Sequence, residues 1–302
     1  MRYWVGVTDN SWFDFLSRLQ PDEVNFWQPS GKAPFANLEP GAPFLFKLKM
    51  PHNHIAGGAF FVKFSSLPLS MVWDVFKEKN GAGARENFEA MIRRLSSDKT
   101  AKDPYVGCTV LTEPFFWPRD QWIAAESRWK SNVVVGAYSD SLPDEGKRLW
   151  AEVQARQQLP LVAEESERER YGKPLLVRPR LGQSGFQVVV TDAYQRRCAI
   201  TGERTLPALE AAHIQDYAKQ GPHDIRNGLL LRADFHKLFD AGLVTITPEL
   251  NLEVSSKIKE EWFNGKAYYR LHGQRLANLP VDVSQHPGRE FLVWHNENQF
   301  QG

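Results

Sequence analysis

The sequence predicts an α+β chain in two domains, an N-terminal β-barrel-type domain with flanking helices and a smaller C-terminal domain of two strands and a helix. Three observations predict it. Residues 1–140 alternate short apolar runs with turn signals, the texture of a small twisted sheet. Residues 141–175 turn to Glu, Arg, Gln and Ala, the composition of a helical linker. Beyond residue 176 the chain reads as helix, strand, loop, strand and helix, with a histidine at the end of the first strand and another inside the last helix. The length of 302 residues also suits two cores better than one, since single cores stop growing near ~250–300 residues.

In the N-terminal region, Tyr3–Val7, Pro43–Lys49, Ile55–Phe64 and Gly107–Glu113 read as strands, being apolar, rich in β-branched and aromatic residues, and bounded by turns. Ser11–Leu19 reads as a short helix with Ser11 as its N-cap. Leu69–Glu78 and Arg85–Leu95 read as helices, separated by the break at Gly81 and Gly83.

From Asp144 to Gly172 the pattern fits one or two exposed helices interrupted at Pro160, and the charge run from Glu164 to Arg170 fits a solvated face. Pro174 and Pro179 mark entry to the second domain, residues 176–302. There Phe186–Tyr194 reads as a helix, Leu209–Ile214 and Gly228–Arg232 as strands, and Asp234–Ala241 as a helix that Gly242 ends as a C-cap. Leu243–Thr247 and Leu252–Ser255 form a hairpin pattern around Pro248 to Asn251.

Composition excludes several classes. There is no apolar run of the ~18 residues a membrane span needs, and Met1 to Val5 lacks the basic-then-apolar layout of a signal peptide. With two cysteines, Cys108 and Cys198, no disulfide framework can form, and a cytoplasmic protein is the expectation. A net charge of +1 neither favours nor opposes nucleic acid, because binding depends on where charge sits. Basic residues do cluster locally, at Arg178 and Arg180 and then at Arg196, Arg197 and Arg204.

Chemistry concentrates in three short stretches: Leu209 to Ile214, ending in Ala212-His213-Ile214; Arg226-Asn227-Gly228 and the leucines after it; and Asp234-Phe235-His236 running on to Asp240. Fourteen positions separate His213 from Asn227 and 9 separate Asn227 from His236. The order strand, loop, strand, helix with these residues resembles the HNH endonuclease family, whose fold is the ββα-metal hairpin. The run from Arg196 to Asn251 is similar to the HNH branch of predicted and modification-dependent restriction enzymes. A phosphodiester is anionic and repels hydroxide, so its hydrolysis needs a base to activate water and a cation to neutralise developing charge. The resemblance implies that His213 is the general base, that His236 is a metal ligand, and that Asn227 ties the loop and holds His213 in orientation.

The sequence departs from that family in two places. Many members carry Asp or His immediately before the base histidine; here the residue is Ala212. Asp240, one helical turn after His236, is the candidate second protein ligand, and Glu210, on the strand face of Ala212, is a weaker one. Water and phosphate oxygens would complete the shell of Mg²⁺, while Mn²⁺, Co²⁺ or Ni²⁺ suit imidazole equally. Some members also hold the hairpin with four thiolates; with Cys198 alone in this region, no structural Cys₄ zinc is expected. His223, in the polar turn Gly221 to Asp224, reads as a loop residue, and His295 as structural or surface. Arg196 and Arg197 are candidate DNA phosphate contacts, with ordinary surface charge as the alternative.

In the N-terminal region, Val24 to Pro29 with Phe44 to Lys47 and His54 to Phe61 resembles the modified-base-reading domains of the PUA superfamily, which includes EVE and SRA domains. That resemblance implies a pocket that stacks a flipped base on aromatic walls, each stack being worth roughly 1–3 kcal/mol. Trp12, Trp27 and Phe46 are candidate walls, and Asn25, with Asn10 and Gln28, a candidate reader of base edges; each aromatic has core packing as its alternative. The combined expectation is a modification-dependent endonuclease acting on double-stranded DNA with a modified cytosine such as 5-methylcytosine, working as a homodimer. The alternatives are an HNH nuclease for unmodified or otherwise marked DNA, a catalytically silent DNA-binding protein, and RNA cleavage.

Overall fold

The computed structural model describes residues 2–35, 37–96, 100–125, 135–138, 143–157, 181–219 and 221–302. The chain divides into two compact units, Met1–Arg180 and Leu181–Gly302. The basic pair Arg178 and Arg180, the charge run from Glu164 to Arg170, and Pro160, Gly172, Pro174 and Pro179 lie outside the described residues.

The first unit is a mixed sheet of seven strands: β1 (Trp4–Thr8), β2 (Glu23–Gln28), β3 (Pro43–Leu48), β4 (His54–Pro68), β5 (Tyr105–Phe116), β6 (Ile123–Ala124) and β7 (Gly136–Tyr138). Hydrogen-bonded neighbours run β2-β5-β4-β3-β1-β7, with β6 added on β4. β1 and β3 are parallel and the other pairs antiparallel. In a flat sheet β2 and β3, separated by two strands, would stand about 14 Å apart. Yet the rings of Phe26 on β2 and Phe44 on β3 are 4.8 Å apart. The sheet therefore curls around its interior like a barrel. The cause is visible on β4, whose register shifts against β5 between Gly58 and Phe60 and again between Phe61 and Lys63; such bulges bend and twist a strand. Gly57 permits the close approach there, since a Cβ on it would lie 2.2 Å from the Phe115 carbonyl oxygen.

The interior holds Trp4, Trp12, Phe26, Phe44, Phe46 and Phe61, closed at one end by α1 (Asn10–Leu19) through Trp12, Phe13 and Leu16. The cap of α1 is Asp9 rather than Ser11: the Asp9 carboxylate accepts from the Ser11 backbone N–H at 3.1 Å and from its hydroxyl at 2.7 Å. The carboxylate two residues earlier thus caps the first turn, and Ser11 is a donor to it. On the outer face lie α2 (Leu69–Phe76) and α3 (Arg85–Leu95). α2 ends at Phe76, two residues before the expected boundary, because Lys77 takes a left-handed φ of 48° before a 3₁₀ turn at Lys77–Asn80.

The segment expected to be an exposed linker helix begins differently. α4 (Pro143–Gln157) buries Leu149 and Val153 against Tyr3, Val5, Leu45 and Trp117, and the Tyr3 hydroxyl donates to the Gly146 carbonyl at 2.7 Å. Its apolar positions, spaced by four, form a stripe that the sheet covers.

In the second unit α5 (Gln183–Ala193) leads to an antiparallel pair, β8 (Leu209–His213) and β9 (Gly228–Arg232), and then directly to α6 (Ala233–Asp240). Phe186, Val190 and Tyr194 of the α5 region pack on the pair with Ala212, Leu229, Leu230 and Leu231, while Phe235 and Phe239 turn the inner face of α6 into the same core. The hairpin of β10 (Val244–Ile246) and β11 (Leu252–Val254) follows, as the sequence pattern predicts. The helices α7 (Lys257–Trp262), α8 (Lys266–Tyr269) and α9 (Arg289–Asn298), for which the sequence reading assigned no element, complete the unit.

Candidate active site on the β8–β9–α6 hairpin

The loop between β8 and β9 is held by one side chain. Asn227 is fully buried; its Oδ1 accepts from the Gln215 backbone N–H at 2.8 Å, and its Nδ2 donates to the Gln215 and Pro222 carbonyls, each at 2.9 Å. Its own carbonyl accepts from the Ile214 N–H at 2.9 Å. One amide thus replaces three missing ladder partners around His213, in the way expected for a residue opening the second strand.

His213 ends β8 and stacks on Phe186, with centroids 3.8 Å apart and planes within 9°. Its Nε2 lies 2.9 Å from Nδ1 of His223. His223 therefore belongs to the site rather than to a bare turn; it stacks in turn on Tyr217 at 4.3 Å. Burial, with His223 and His236 adding to it and Asp216 opposing, brings the His213 pKa down to about 4. The ring is neutral at pH 7, the state in which it can accept a proton.

His236 lies on the exposed side of α6. Its Nδ1 is 2.7 Å from the Glu210 carboxylate and its Nε2 is 3.3 Å from Oδ2 of Asp240. With the proton on Nδ1 donated to Glu210, the Nε2 lone pair faces an anionic oxygen. That arrangement is repulsive unless a proton or a cation lies between them. Two cis ligands of a six-coordinate cation, each at about 2.1 Å, stand about 3 Å apart, so the Nε2–Oδ2 spacing fits a divalent ion. Glu210 meets the other ring nitrogen of His236, Nδ1, on the side away from Asp240. Desolvation raises the Asp240 pKa, with His236 opposing and the nearby Asp216 and Glu210 carboxylates adding to it; those carboxylates concentrate negative charge in the cleft. Among the described residues no three His, Cys, Asp or Glu side chains gather into a metal cage; a two-ligand site completed by water and phosphate is what these residues can offer.

His213, His236 and Asp240 line one cleft of about 350 Å³, with Asp216, Tyr217, Gln183 and Trp294. Ala212, by contrast, is fully buried in the core. His295 also borders the cleft but serves the core. It stacks on Phe239 at 3.7 Å, and its two nitrogens meet the Thr245 hydroxyl at 2.8 Å and the Phe239 carbonyl at 3.1 Å. Arg196 sits 3.5 Å from Asp192 and neither it nor Arg197 lines the cleft.

In the first unit a second cleft, of about 440 Å³, is lined by Trp12, Trp27, Phe26, Gln28, Lys49 and Arg94 among others. Three of the six base-pocket candidates, Trp12, Trp27 and Gln28, line it. Phe46 and Asn25 do not. Phe46 is fully buried, 5.3 Å from Trp12 and stacked on Phe116 at 5.9 Å, so it is core. Asn25 is fully buried, with its Nδ2 donating to the Asn80 Oδ1 at 2.9 Å. Along β2, Phe26 points inward, while Asn25 and Trp27 share the other face, where Asn25 donates to the Asn80 side chain and Trp27 to the Asn80 carbonyl.

The family model described as HNH endonuclease matches residues 198–247, a segment that contains the whole hairpin. Among solved structures, the ASCH protein from Zymomonas mobilis is 13% identical, with 40% of this chain and 73% of that one covered at a TM-score of 0.27. A mutant of the same protein is 7% identical, with 44% and 87% covered at a TM-score of 0.30. The modification-dependent TagI restriction endonuclease is 14% identical, with 93% and 76% covered at a TM-score of 0.28. No curated protein matches the sequence.

Proposed function

We propose that this chain is a metal-dependent DNA endonuclease in which the HNH domain cuts and the N-terminal unit selects the target by a modified base. The observation that carries the nuclease reading is the convergence of His213, His236 and Asp240 on one cleft, with Asn227 tying the loop beneath them. In this reading His213, neutral and buried, takes the proton of the attacking water. His236 and Asp240 hold a divalent cation, which when bound would neutralise charge on the scissile phosphate and the leaving oxygen. Glu210 keeps the His236 proton on Nδ1, and Asn227 keeps His213 at the end of its strand. Arg196 and Arg197 are proposed to meet the DNA backbone farther from the reacting phosphate. A duplex has two strands and this chain carries one HNH domain, so a homodimer on DNA is the proposed cutting form.

Target selection is assigned to the PUA-like first unit, through the cleft of Trp12, Trp27 and Gln28. Its volume of about 440 Å³ suits a flipped nucleotide. The proposed ligand is a modified cytosine. The experiment is cleavage of unmethylated, 5-methylcytosine and 5-hydroxymethylcytosine plasmid in Mg²⁺, Mn²⁺, Co²⁺ or Ni²⁺. The proposal expects modified DNA to be cut and Trp27→Ala to lose that preference by at least tenfold. Equal cutting of all three would remove the modified-base role and leave the nuclease.

A further inference from the structure

His213 and His223 face each other across the loop between β8 and β9. A separation of 2.9 Å between His213 Nε2 and His223 Nδ1 requires one donor and one acceptor. Each imidazole has an aromatic ring against it, Phe186 on His213 within 9° of parallel and Tyr217 on His223 within 11°. The two imidazoles are tilted 55° from each other. This pairing sets which His213 nitrogen is free to work.

There are two ways to share the proton between neutral rings. If His223 donates from Nδ1, His213 accepts at Nε2, so its own proton sits on Nδ1 and no lone pair remains for water. If His213 donates from Nε2, His223 accepts at Nδ1 and the His213 Nδ1 lone pair is free. Only the second arrangement leaves a base. We infer that His223 is a positioning residue for cleavage: it accepts the Nε2–H of His213 and so makes Nδ1 the nitrogen that takes the proton from water. The inference rests on His213 being the general base.

The orientation is built from three contacts. Phe186 fixes the plane of the His213 ring, Tyr217 fixes the plane of His223, and Asn227 fixes the loop between them through Gln215 and Pro222. His223 takes on the second imidazole nitrogen the part that a carboxylate or carbonyl acceptor plays in other oriented histidines.

The test compares three full-length variants. His223→Asn places an amide oxygen near the position of Nδ1, whereas His223→Gln places its amide near Nε2. His223→Phe keeps a ring to stack on Tyr217 but has no acceptor. Rates on supercoiled plasmid are measured with saturating metal, beside Mn²⁺ affinity by calorimetry and thermal melting as a check on folding. The expected result is a kcat roughly 10–100-fold lower for Phe and Gln, with KM and Mn²⁺ affinity within twofold, and recovery of most of kcat in Asn. Wild-type kcat in the Phe variant, or equal losses in Asn and Gln, would overturn the inference. The Asn and Gln pair carries the test alone should the Phe variant fail to fold. Cleavage that His213→Ala does not slow would instead overturn the base assignment, and this inference with it.

Discussion

Asn227 is the side chain on which the hairpin geometry depends most. It is fully buried and uses its amide as acceptor once and donor twice. Asn227→Ala leaves one N–H and two carbonyls of part-buried bonds without their partner, at about 1–3 kcal/mol each where water cannot reach them. Urea unfolding is expected to show a loss of about 3 kcal/mol, and plasmid cutting to fall even where the variant remains folded. A change below about 0.5 kcal/mol would contradict the described network. His236→Ala separates the metal from the base: calorimetry is expected to show loss of most Mn²⁺ affinity, while His213→Ala leaves it within twofold. The spacing of His213, Asn227 and His236 made these residues legible in the sequence, because each sits at the end or start of an element whose pattern is itself readable. His223 was not legible. Its approach to His213 comes from the loop that Asn227 folds back, and nothing in Gly221 to Asp224 encodes it.

Among elements, the contact of α5 with the β8–β9 pair determines the plane of the His213 ring. Gly228 pairs with His213 in the ladder, and a Cβ on it would lie 2.4 Å from Val190 Cγ2 and 3.1 Å from Phe186 Cζ. Gly228→Ala must therefore push α5 away, and Phe186 with it, from beneath His213. Overpacking of this kind costs about 1–3 kcal/mol. The expected outcome is a lower melting temperature together with a fall in kcat; wild-type values for both would contradict the packing. The strands and helices that lead to the hairpin follow apolar periodicity and were readable. Strand β2, by contrast, mixes Glu23, Asn25 and Gln28 with apolar residues, and its inward Val24 and Phe26 gain meaning only once the sheet has curled. The same curl puts Phe46 in the core and sends Asn25 to the helix face, so the strand pattern alone could not separate a pocket wall from a core residue. α4 illustrates the other limit, since its stripe is readable as amphipathic but its partner, the sheet beside Tyr3, is more than 130 residues away.

For the molecule as a whole, acid is expected to loosen the second unit. His213 and His295 both have pKa values near 4 in the fold, against 6.5 for an exposed histidine, burial being the first cause for each. Between pH 4 and 6.5 the unfolded chain binds protons that the folded chain does not. Stability from these two rings is therefore complete above about pH 6.5 and is lost as pH falls toward 4. The raised pKa of Asp240 works in the opposite direction, though it is one carboxyl against two histidines. Melting temperature in EDTA at constant ionic strength is expected to fall steadily from pH 7.5 to 4.5, and a flat or rising curve would contradict the burial of the two rings. The division into two units leaves this acid response and the proposed base selection in separate cores.

The β8–β9–α6 cleft is proposed to hydrolyse DNA with His213 as base and a cation at His236 and Asp240. The most direct measurement is single-turnover cleavage of modified plasmid by wild type and His213→Ala, each with Mn²⁺ and with EDTA. Wild type is expected to cut with Mn²⁺ and not in EDTA, and the variant to cut at least ~100-fold more slowly, the contribution expected of a positioned base. A His213→Ala protein that cuts as fast as wild type would contradict it.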